Sequence, residues 1–313
     1  MVDSKQQWKA WLYLSPAIIL LLIFTVWPII NTLRIAFLEG YNSMAAAGGE
    51  TFKFGLGNFK RVIEYRGFIT CLKNTVLLCV LTVPISTFLA LLIAVCLNSI
   101  KPLNRLLQTI YFLPYVTNSI AIGMVFAAMF NIVGFQYVIK DSTSLGIINN
   151  ALSLFGIEPV NWINQNSAYG NNLAVMVVYI VWNALPFKIL ILLGGLQSVN
   201  KQYYDAAKVD GTSKIRVFWR ITVPLLSPMI AYVVITGFIG GFKEYTSIVG
   251  IFGERMGPVG SGADKPLNTM VGFIYDSIDL QQGRASAAAL ILFGIILIVT
   301  LLNLYVSKKR VHY

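Results

Sequence analysis

Six long stretches without a charged residue constrain this chain more than any other feature. Each runs for 22 to 34 residues between two charged residues, and together they cover about half of the sequence. A helix needs roughly 20 mainly apolar residues to cross the hydrocarbon core of a bilayer, which is about 30 Å thick. Only 12% of all residues are charged, whereas soluble domains have about a quarter. The pattern therefore predicts an all-α, polytopic membrane protein with six transmembrane helices.

The predicted spans form one membrane domain at residues 12–306, between short ends at residues 1–11 and 307–313. Five of the spans contain proline, which frees backbone groups and is more typical of the kinked helices of a transporter than of a rigid anchor. We place the spans at residues 12–37, 74–98, 109–130, 173–196, 225–248 and 285–306.

The basic residues predict the orientation of the chain. Twelve Lys and Arg residues lie in the two ends, in segment 99–108 and in segment 197–224, and nine lie in the other three connections. Short cytoplasmic loops of membrane proteins are enriched in Lys and Arg, so the side with twelve basic residues should be the cytoplasmic one, and we expect both ends there. The basic stretch 53–73, on the opposite side, argues against this orientation. The same rule explains the net charge of +11, so we expect no nucleic-acid partner.

Residue types that build catalytic or metal sites are scarce. The one histidine, His312, lies at the polar C-terminus, and the three cysteines, Cys71, Cys79 and Cys96, form neither a C-x-x-C site nor a disulfide framework. The sequence also lacks the G-x-x-x-x-G-K-[ST] motif that cradles nucleotide phosphates. We therefore expect a non-catalytic chain that binds no metal and no cofactor of its own.

The most informative polar segment lies between the fourth and fifth predicted spans. It reads YYDAAKVDGTSKIRVFWRITVPLLSP over residues 203–228. The run 202–209 favours a helix, and Gly211 supplies the left-handed turn that ends it. Thr212 or Ser213 can cap a second short, amphipathic helix. The product is a helix pair that a cytoplasmic partner could grip; by composition alone, a loop lying on the membrane surface is the alternative.

This segment resembles the EAA loop of permease subunits in binding-protein-dependent ABC importers. The family pattern is E-A-A-x-x-x-G, nine unspecified positions, then I-x-L-P. Here Asp205 replaces the glutamate and Val223 replaces the leucine. The matching residues are Asp205-Ala206-Ala207, Asp210-Gly211, Ile221 and Val223-Pro224. Segment 197–224 is named the coupling loop below.

Shorter motifs spread the resemblance over most of the chain. Together they look like the larger, maltose-type permease of a carbohydrate importer. They are Gly57-Asn58-Phe59, Asn74-Thr75, Arg105 with Phe112-Leu113-Pro114-Tyr115, Trp182 with Pro186-Phe187, and Gly195-Leu196-Gln197-Ser198-Val199, after which Asn200 replaces a proline.

The resemblance implies a permease subunit in a prokaryotic cell membrane, surrounded by lipid and working in an assembly. The implied partners are a second, homologous permease, two ABC ATPase subunits that bind ATP and Mg, and an extracellular solute-binding protein that delivers a carbohydrate. Closure of the ATP-bound ATPases would stabilise one conformation of the permeases more than the other. Such a difference in stabilisation is needed to shift the equilibrium between the two conformations. The residues implied to couple the chain to the ATPases are Asp205, Ala206, Ala207, Asp210 and Gly211.

The resemblance also implies a substrate cavity near the middle of the membrane, where aromatic faces stack on sugar rings. Ordinary helix packing is the alternative for Tyr115 and Phe187, and close helix contact is the alternative for Gly237 and Gly241. The positions that match the maltose-type cavity are Tyr115, Ser119, Phe187, Gly241 and Glu244.

Three ionisable residues fall inside predicted spans, which makes each a functional hypothesis. They are Lys188, Lys243 and Glu244. For Lys188 and Glu244 the alternative is a structural pair, either with each other or with the partner permease. Glu244 replaces a polar amide common in the family, which leaves room for an amino or otherwise modified sugar.

The leading hypothesis is the transmembrane subunit of an ATP-driven importer of a carbohydrate, an oligosaccharide in particular. One alternative keeps the family and changes the substrate to glycerol phosphate or another polar solute. Another is an ion-coupled secondary transporter, which would need intramembrane carboxylates, and Glu244 is the one well inside a predicted span.

Overall fold

The computed structural model describes residues 7–100, 104–133, 144–258 and 265–310, and 79% of them are helical. The predicted all-α class is confirmed. A two-residue antiparallel ribbon pairs β1 (Ile132–Val133) with β2 (Ser144–Leu145). The helices are α1 Gln7–Leu21, α2 Trp27–Phe37, α3 Ser43–Ala47, α4 Gly57–Glu64, α5 Arg66–Ser99, α6 Asn104–Val116, α7 Ser119–Phe130, α8 Ile147–Ser153, α9 Tyr169–Ser198, α10 Gln202–Val209, α11 Lys214–Val217, α12 Val223–Leu225, α13 Ser227–Phe242, α14 Thr246–Phe252, α15 Met270–Ile278 and α16 Gln282–Arg310.

Four helical stretches are long and apolar enough to cross a membrane, and they enclose the first, second, fourth and sixth predicted spans. Two further pairs of helices pass the same test together but are sharply bent, so six spans result only if each bent pair is one span. The count of six therefore stays a prediction. The four stretches are Trp8–Phe37, Arg66–Ser99, Tyr169–Ser198 and Gln282–Lys309. In the first of them, a π-helical turn at Leu22–Val26 joins α1 to α2 without a break.

The third predicted span, 109–130, is not one continuous helix. The axes of α6 and α7 differ by 99°. The break lies at Asn118, whose extended backbone leaves the helical path and whose Oδ1 accepts the N–H groups of Ile120 at 2.9 Å and Ala121 at 3.4 Å. This side chain replaces backbone partners that the first turn of α7 lacks.

The fifth predicted span, 225–248, is also interrupted. Helix α13 ends at Phe242, directly after Gly240 and Gly241, and α14 begins at Thr246. Glycine is a poor helix former because it loses the most backbone freedom on folding. Glu244 therefore lies at a break between two helices, whereas the sequence placed it inside one.

The chain forms two compact units, and the first comprises Met1–Phe68 and Phe273–Phe293. Between Trp8 and Phe37 only Ala36 is buried. The buried Asn58 ties the end of α2 to α4, because its Nδ2 donates to the carbonyl oxygens of Ala36 at 3.1 Å and Leu38 at 2.7 Å.

The second unit comprises Ile69–Gly272 and Gly294–Tyr313 and contains two apolar clusters. The Tyr179 cluster joins residues of α5, α7, α9 and α14, and the Leu192 cluster joins residues of α5, α9 and α13. Helices α7 and α14 meet at two glycines, and a Cβ built on Gly123 would lie 2.7 Å from the Cα of Gly250. Along α5 the first cluster contributes Leu78 and the second begins at Ala90, which leaves the middle of this helix for other contacts.

Candidate substrate cavity and coupling loop

A cavity of about 310 Å³ lies in the second unit, at the middle of α5 and α9. Its volume falls at the lower end of the range of small-molecule sites. Helices α5, α6, α9 and α13 supply most of its walls. The polar, charged, aromatic and glycine residues of the lining are Thr82, Ser86, Tyr115, Asn183, Phe187, Lys188, Thr236, Gly237, Gly240, Gly241 and Glu244.

The structure brings together four of the five residues that the sequence assigned to the cavity. Tyr115, Phe187, Gly241 and Glu244 all line it. Ser119 is not among the lining residues; its Oγ lies 3.5 Å from Nδ2 of Asn183, which does line the cavity.

Two aromatic rings form one wall of the cavity. The rings of Tyr115 and Phe187 are stacked, with centroids 5.9 Å apart and planes 18° apart, and Phe112 packs against Tyr115 at 5.3 Å. Tyr115 nevertheless remains 52% exposed. The pair is therefore both packed and accessible, and it can offer an aromatic face to a ring-shaped substrate.

The glycines of α13 let that helix approach α5 closely. A Cβ on Gly241 would lie 2.8 Å from Sγ of Cys79, and a Cβ on Gly237 would lie 3.1 Å from Cγ1 of Val83. A Cβ on Gly240 would meet no atom within 4 Å. Gly237 and Gly241 thus make a close helix contact, and both also line the cavity.

Lys188 is buried, and its ammonium group binds one turn of α5. Nζ donates to Ser86 Oγ at 2.7 Å, to Thr87 Oγ1 at 2.9 Å and to the Val83 carbonyl oxygen at 3.2 Å. Both hydroxyls donate their own hydrogen to carbonyl oxygens of α5, so their lone pairs are free to accept from the ammonium. An ammonium has three donors, and all three are used here.

Lys188 and Glu244 do not form the structural pair that the sequence left open. The ion pairs within the described residues are Lys60–Glu64 and Lys208–Asp205. Oε1 of Glu244 instead accepts the backbone N–H groups of Tyr245 and Ser247, both at 3.1 Å. Glu244 therefore caps the N-terminus of α14 while it lines the cavity.

The first helix of the coupling loop is α10, over the residues that the sequence predicts. Gly211 follows it with φ of 64°. The N–H of Thr212 donates to the carbonyl oxygen of Ala207 at 2.9 Å, and the N–H of Gly211 donates to that of Lys208 at 3.1 Å. These two bonds form a Schellman motif, which satisfies carbonyl groups at the helix end.

The second helix of the coupling loop differs from its prediction in one detail. Ser213 occupies the N-cap position of α11, but its side chain makes no capping hydrogen bond. Helix α11 covers Lys214–Val217, and a π-helical turn at Phe218–Thr222 continues it. This π-helical turn leads directly into α12, and no side-chain hydrogen bond caps the start of α12.

Most of the predicted coupling residues are exposed, as are several apolar side chains of the coupling loop. Ala207 is buried, while Val209 is 88% and Ile215 75% exposed. Exposed apolar residues grouped on a polar segment are typical of an interaction surface. The exposed coupling residues are Asp205, Ala206, Asp210 and Gly211.

The sequence did not assign Asn183, Thr236 or Lys188 to the cavity, although all three line it. A helical stripe on α9 could have found Asn183 and Lys188. The α9 lining follows the spacing of one helix face, because residues three and four apart lie side by side, and Asn183 lies one turn before Phe187. Once Phe187 is placed in the cavity, the stripe predicts Ile180, Asn183, Ala184 and Lys188.

Known proteins resemble this chain over almost its whole length. The lactose transport system permease protein of Rhizobium radiobacter is 29% identical over 309 residues, covering 96% of this chain and 95% of that protein. The arabinooligosaccharides transport system permease protein of Halalkalibacterium halodurans is 30% identical over 308 residues, covering 97% and 89%. An sn-glycerol-3-phosphate transport system permease protein of Agrobacterium fabrum is 28% identical over 305 residues, covering 97% and 96%.

A solved structure shares the fold. It is that of a bacterial ABC transporter involved in the import of the acidic polysaccharide alginate, with a TM-score of 0.76 and 22% identity over 98% of this chain and 97% of that one. Residues 83–312 match the family described as the binding-protein-dependent transport system inner membrane component. This multi-pass membrane protein belongs to that family of transport-system permeases.

Proposed function

We propose that this chain forms half of the translocation path of an ATP-driven importer of an oligosaccharide. The observation that carries the proposal is the mid-helix cavity, in which the stacked Tyr115 and Phe187 stand beside the amide of Asn183. Aromatic faces bind the apolar faces of sugar rings, and amide and hydroxyl groups bind sugar hydroxyls. The relatives named for lactose and arabinooligosaccharide transport support the same substrate class.

The coupling loop is the proposed contact with the ATPases. Helix α10 is mostly exposed, and the apolar side chains of Val209 at its end and of Ile215 in α11 are not covered by other residues of the described chain, so they form a surface that a partner can bind. In this proposal two partner ATPase subunits bind ATP and Mg, and this chain has no catalytic role. Both ends of the chain then lie in the cytoplasm, and an extracellular solute-binding protein delivers the substrate from the other side.

A second, homologous permease is the proposed partner for the exposed apolar faces within the membrane. On α6, Leu106 is 54%, Ile110 57% and Leu113 65% exposed, so one face of this helix lacks a partner within the described part of the chain. Exposed apolar surface of this kind suits either lipid or a second set of apolar helices. We assign the face beside the cavity to the second permease, because the substrate path then has two walls.

The alternative substrate, glycerol phosphate, agrees with two relatives that are named for sn-glycerol-3-phosphate transport, but it agrees less well with the cavity. A phosphate group needs donors, and the three N–H groups of Lys188 are already bound to α5. Lys243 is exposed and is not among the lining residues. Family membership also weighs against an ion-coupled transporter acting alone.

Affinity purification of the chain in mild detergent tests the proposal. We expect a second permease and an ATPase to copurify, and ATP hydrolysis to rise when the substrate-loaded binding protein is added. Ala206→Arg places a large side chain on the exposed face of α10 and should remove the ATPase without unfolding the chain. Ala47→Arg, at an exposed alanine in α3, is the matched control and should retain it. A chain that purifies alone and moves solute in liposomes without ATP would refute the proposal.

A further inference from the structure

Among the described residues two charged groups line the cavity, and they are not equally available to a substrate. The ammonium of Lys188 is turned into α5, where three oxygen atoms surround it, and only 4% of the residue is exposed. It therefore has no N–H group left for a ligand. An anionic substituent on a sugar would find no charged donor here.

Glu244 is in the opposite situation. Its Oε1 accepts the backbone N–H groups of Tyr245 and Ser247 at the start of α14. No basic side chain within those residues forms an ion pair with it. A carboxylate has about four acceptor sites, so Glu244 retains capacity toward the cavity that it lines.

We propose that Glu244 determines specificity and that the sugar unit held in this cavity carries a protonated amino group. This inference rests on the proposed function. A carboxylate removed from water without a cationic partner is unfavourable, and an ammonium group on the substrate supplies that partner. The resulting hydrogen bond joins two ions and is roughly twice as strong as one between neutral groups.

The aromatic wall favours the same class of substrate. Tyr115 and Phe187 offer ring faces, and an aromatic face attracts a cation as well as the apolar face of a sugar ring. Asn183 and Thr236 remain to bind neutral hydroxyls of the same unit. The cavity thus combines a carboxylate, a cation-attracting wall and neutral polar groups, as recognition of an amino sugar requires.

Binding of three tetrasaccharides with one linkage tests this inference. The assembled importer in lipid nanodiscs is titrated with a glucosamine tetramer, a glucose tetramer and a glucuronic acid tetramer, at a pH where the amine is protonated. We expect the glucosamine tetramer to bind at least about tenfold more tightly than the glucose tetramer, and the glucuronic acid tetramer most weakly.

Glu244→Gln removes the charge and keeps an oxygen that can cap α14, so the fold should survive. We expect it to bring the glucosamine and glucose tetramers to within about twofold of each other, an energy difference of roughly 0.4 kcal/mol. Glu64→Gln, at an exposed glutamate of α4, should leave the original order intact. Equal binding of the two tetramers before mutation, or an order unchanged in Glu244→Gln, would overturn the inference alone. If no tetramer binds the unmodified importer, the proposed function fails as well.

Discussion

The cavity and the coupling loop belong to the same unit but are held by opposite kinds of interaction. The turn after α10 is closed by hydrogen bonds between residues three and five positions apart, such as that from Thr212 to Ala207. At the cavity, the ammonium group of Lys188 donates a hydrogen bond to Ser86, which lies 102 positions earlier in the chain. The coupling loop therefore depends on local sequence, whereas the cavity depends on how separate helices meet.

This contrast has a direct experimental consequence. A change that damages the cavity should be corrected by a second change far away in the sequence, at the residue that faces the first. A change that damages the turn of the coupling loop should be corrected only at the altered position itself. Three sets of variants test this, in order of decreasing expected effect on stability.

The largest effect is expected when the acceptors of Lys188 are removed. The double variant Ser86→Ala, Thr87→Val leaves the buried ammonium with one of its three partners. An unsatisfied buried charged donor should lower the free energy of unfolding by about 3 kcal/mol. The unfolding midpoint in detergent should fall by several degrees.

Removing the charge itself should cost much less. In Lys188→Met both hydroxyls keep their bonds to carbonyl oxygens of α5, so no donor is left unpaired. We expect a change within about 1 kcal/mol, and the triple variant should recover most of the stability lost in the double variant. If Lys188→Met is as unstable as the double variant, the ammonium contributes more to the fold than its neutral partners suggest.

The next effect concerns the close contact between α13 and α5. In Gly241→Ala the new Cβ would lie 2.8 Å from Sγ of Cys79, so the Cys79 side chain or one of the two helices must shift, at a cost of about 2 kcal/mol. Gly240→Ala is the matched control, since a Cβ there meets no atom within 4 Å. Adding Cys79→Ala should restore the stability of Gly241→Ala, and unfolding midpoints measure all of these changes. Equal losses in both glycine variants would mean that helix flexibility, and not the contact with Cys79, sets the cost.

The same contrast explains how much of the molecule the sequence could predict. The apolar stretches and the position of Gly211 depend on neighbouring residues, and four predicted spans fall inside continuous helices of the structure. The helix breaks at Asn118 and Glu244 were not located from the sequence, because each depends on one side chain that caps the next helix. Lys188 was noticed only as a charge in a span, since its acceptors lie in another helix.

The smallest effect on stability, and the most local one, is expected at Gly211. Its φ of 64° lies in the left-handed region, and a Cβ there would meet no atom within 4 Å, so a substitution brings backbone strain without a clash. Gly211→Val should cost about 1–2 kcal/mol at this turn. Gly211→Asn should cost far less, because asparagine tolerates this conformation.

Both Gly211 variants should lower the unfolding midpoint less than Gly241→Ala does, because the strained turn lies outside the packed clusters. Only Gly211→Val should separate ATP hydrolysis from uptake, since it alters the end of α10 that we propose contacts the ATPase. Uptake per ATP hydrolysed in proteoliposomes measures this, and a fall of roughly tenfold corresponds to about 1.4 kcal/mol lost from the coupled state. If Gly211→Asn loses coupling as fully as Gly211→Val, the lack of a side chain at this position matters in itself, and the turn geometry does not explain it.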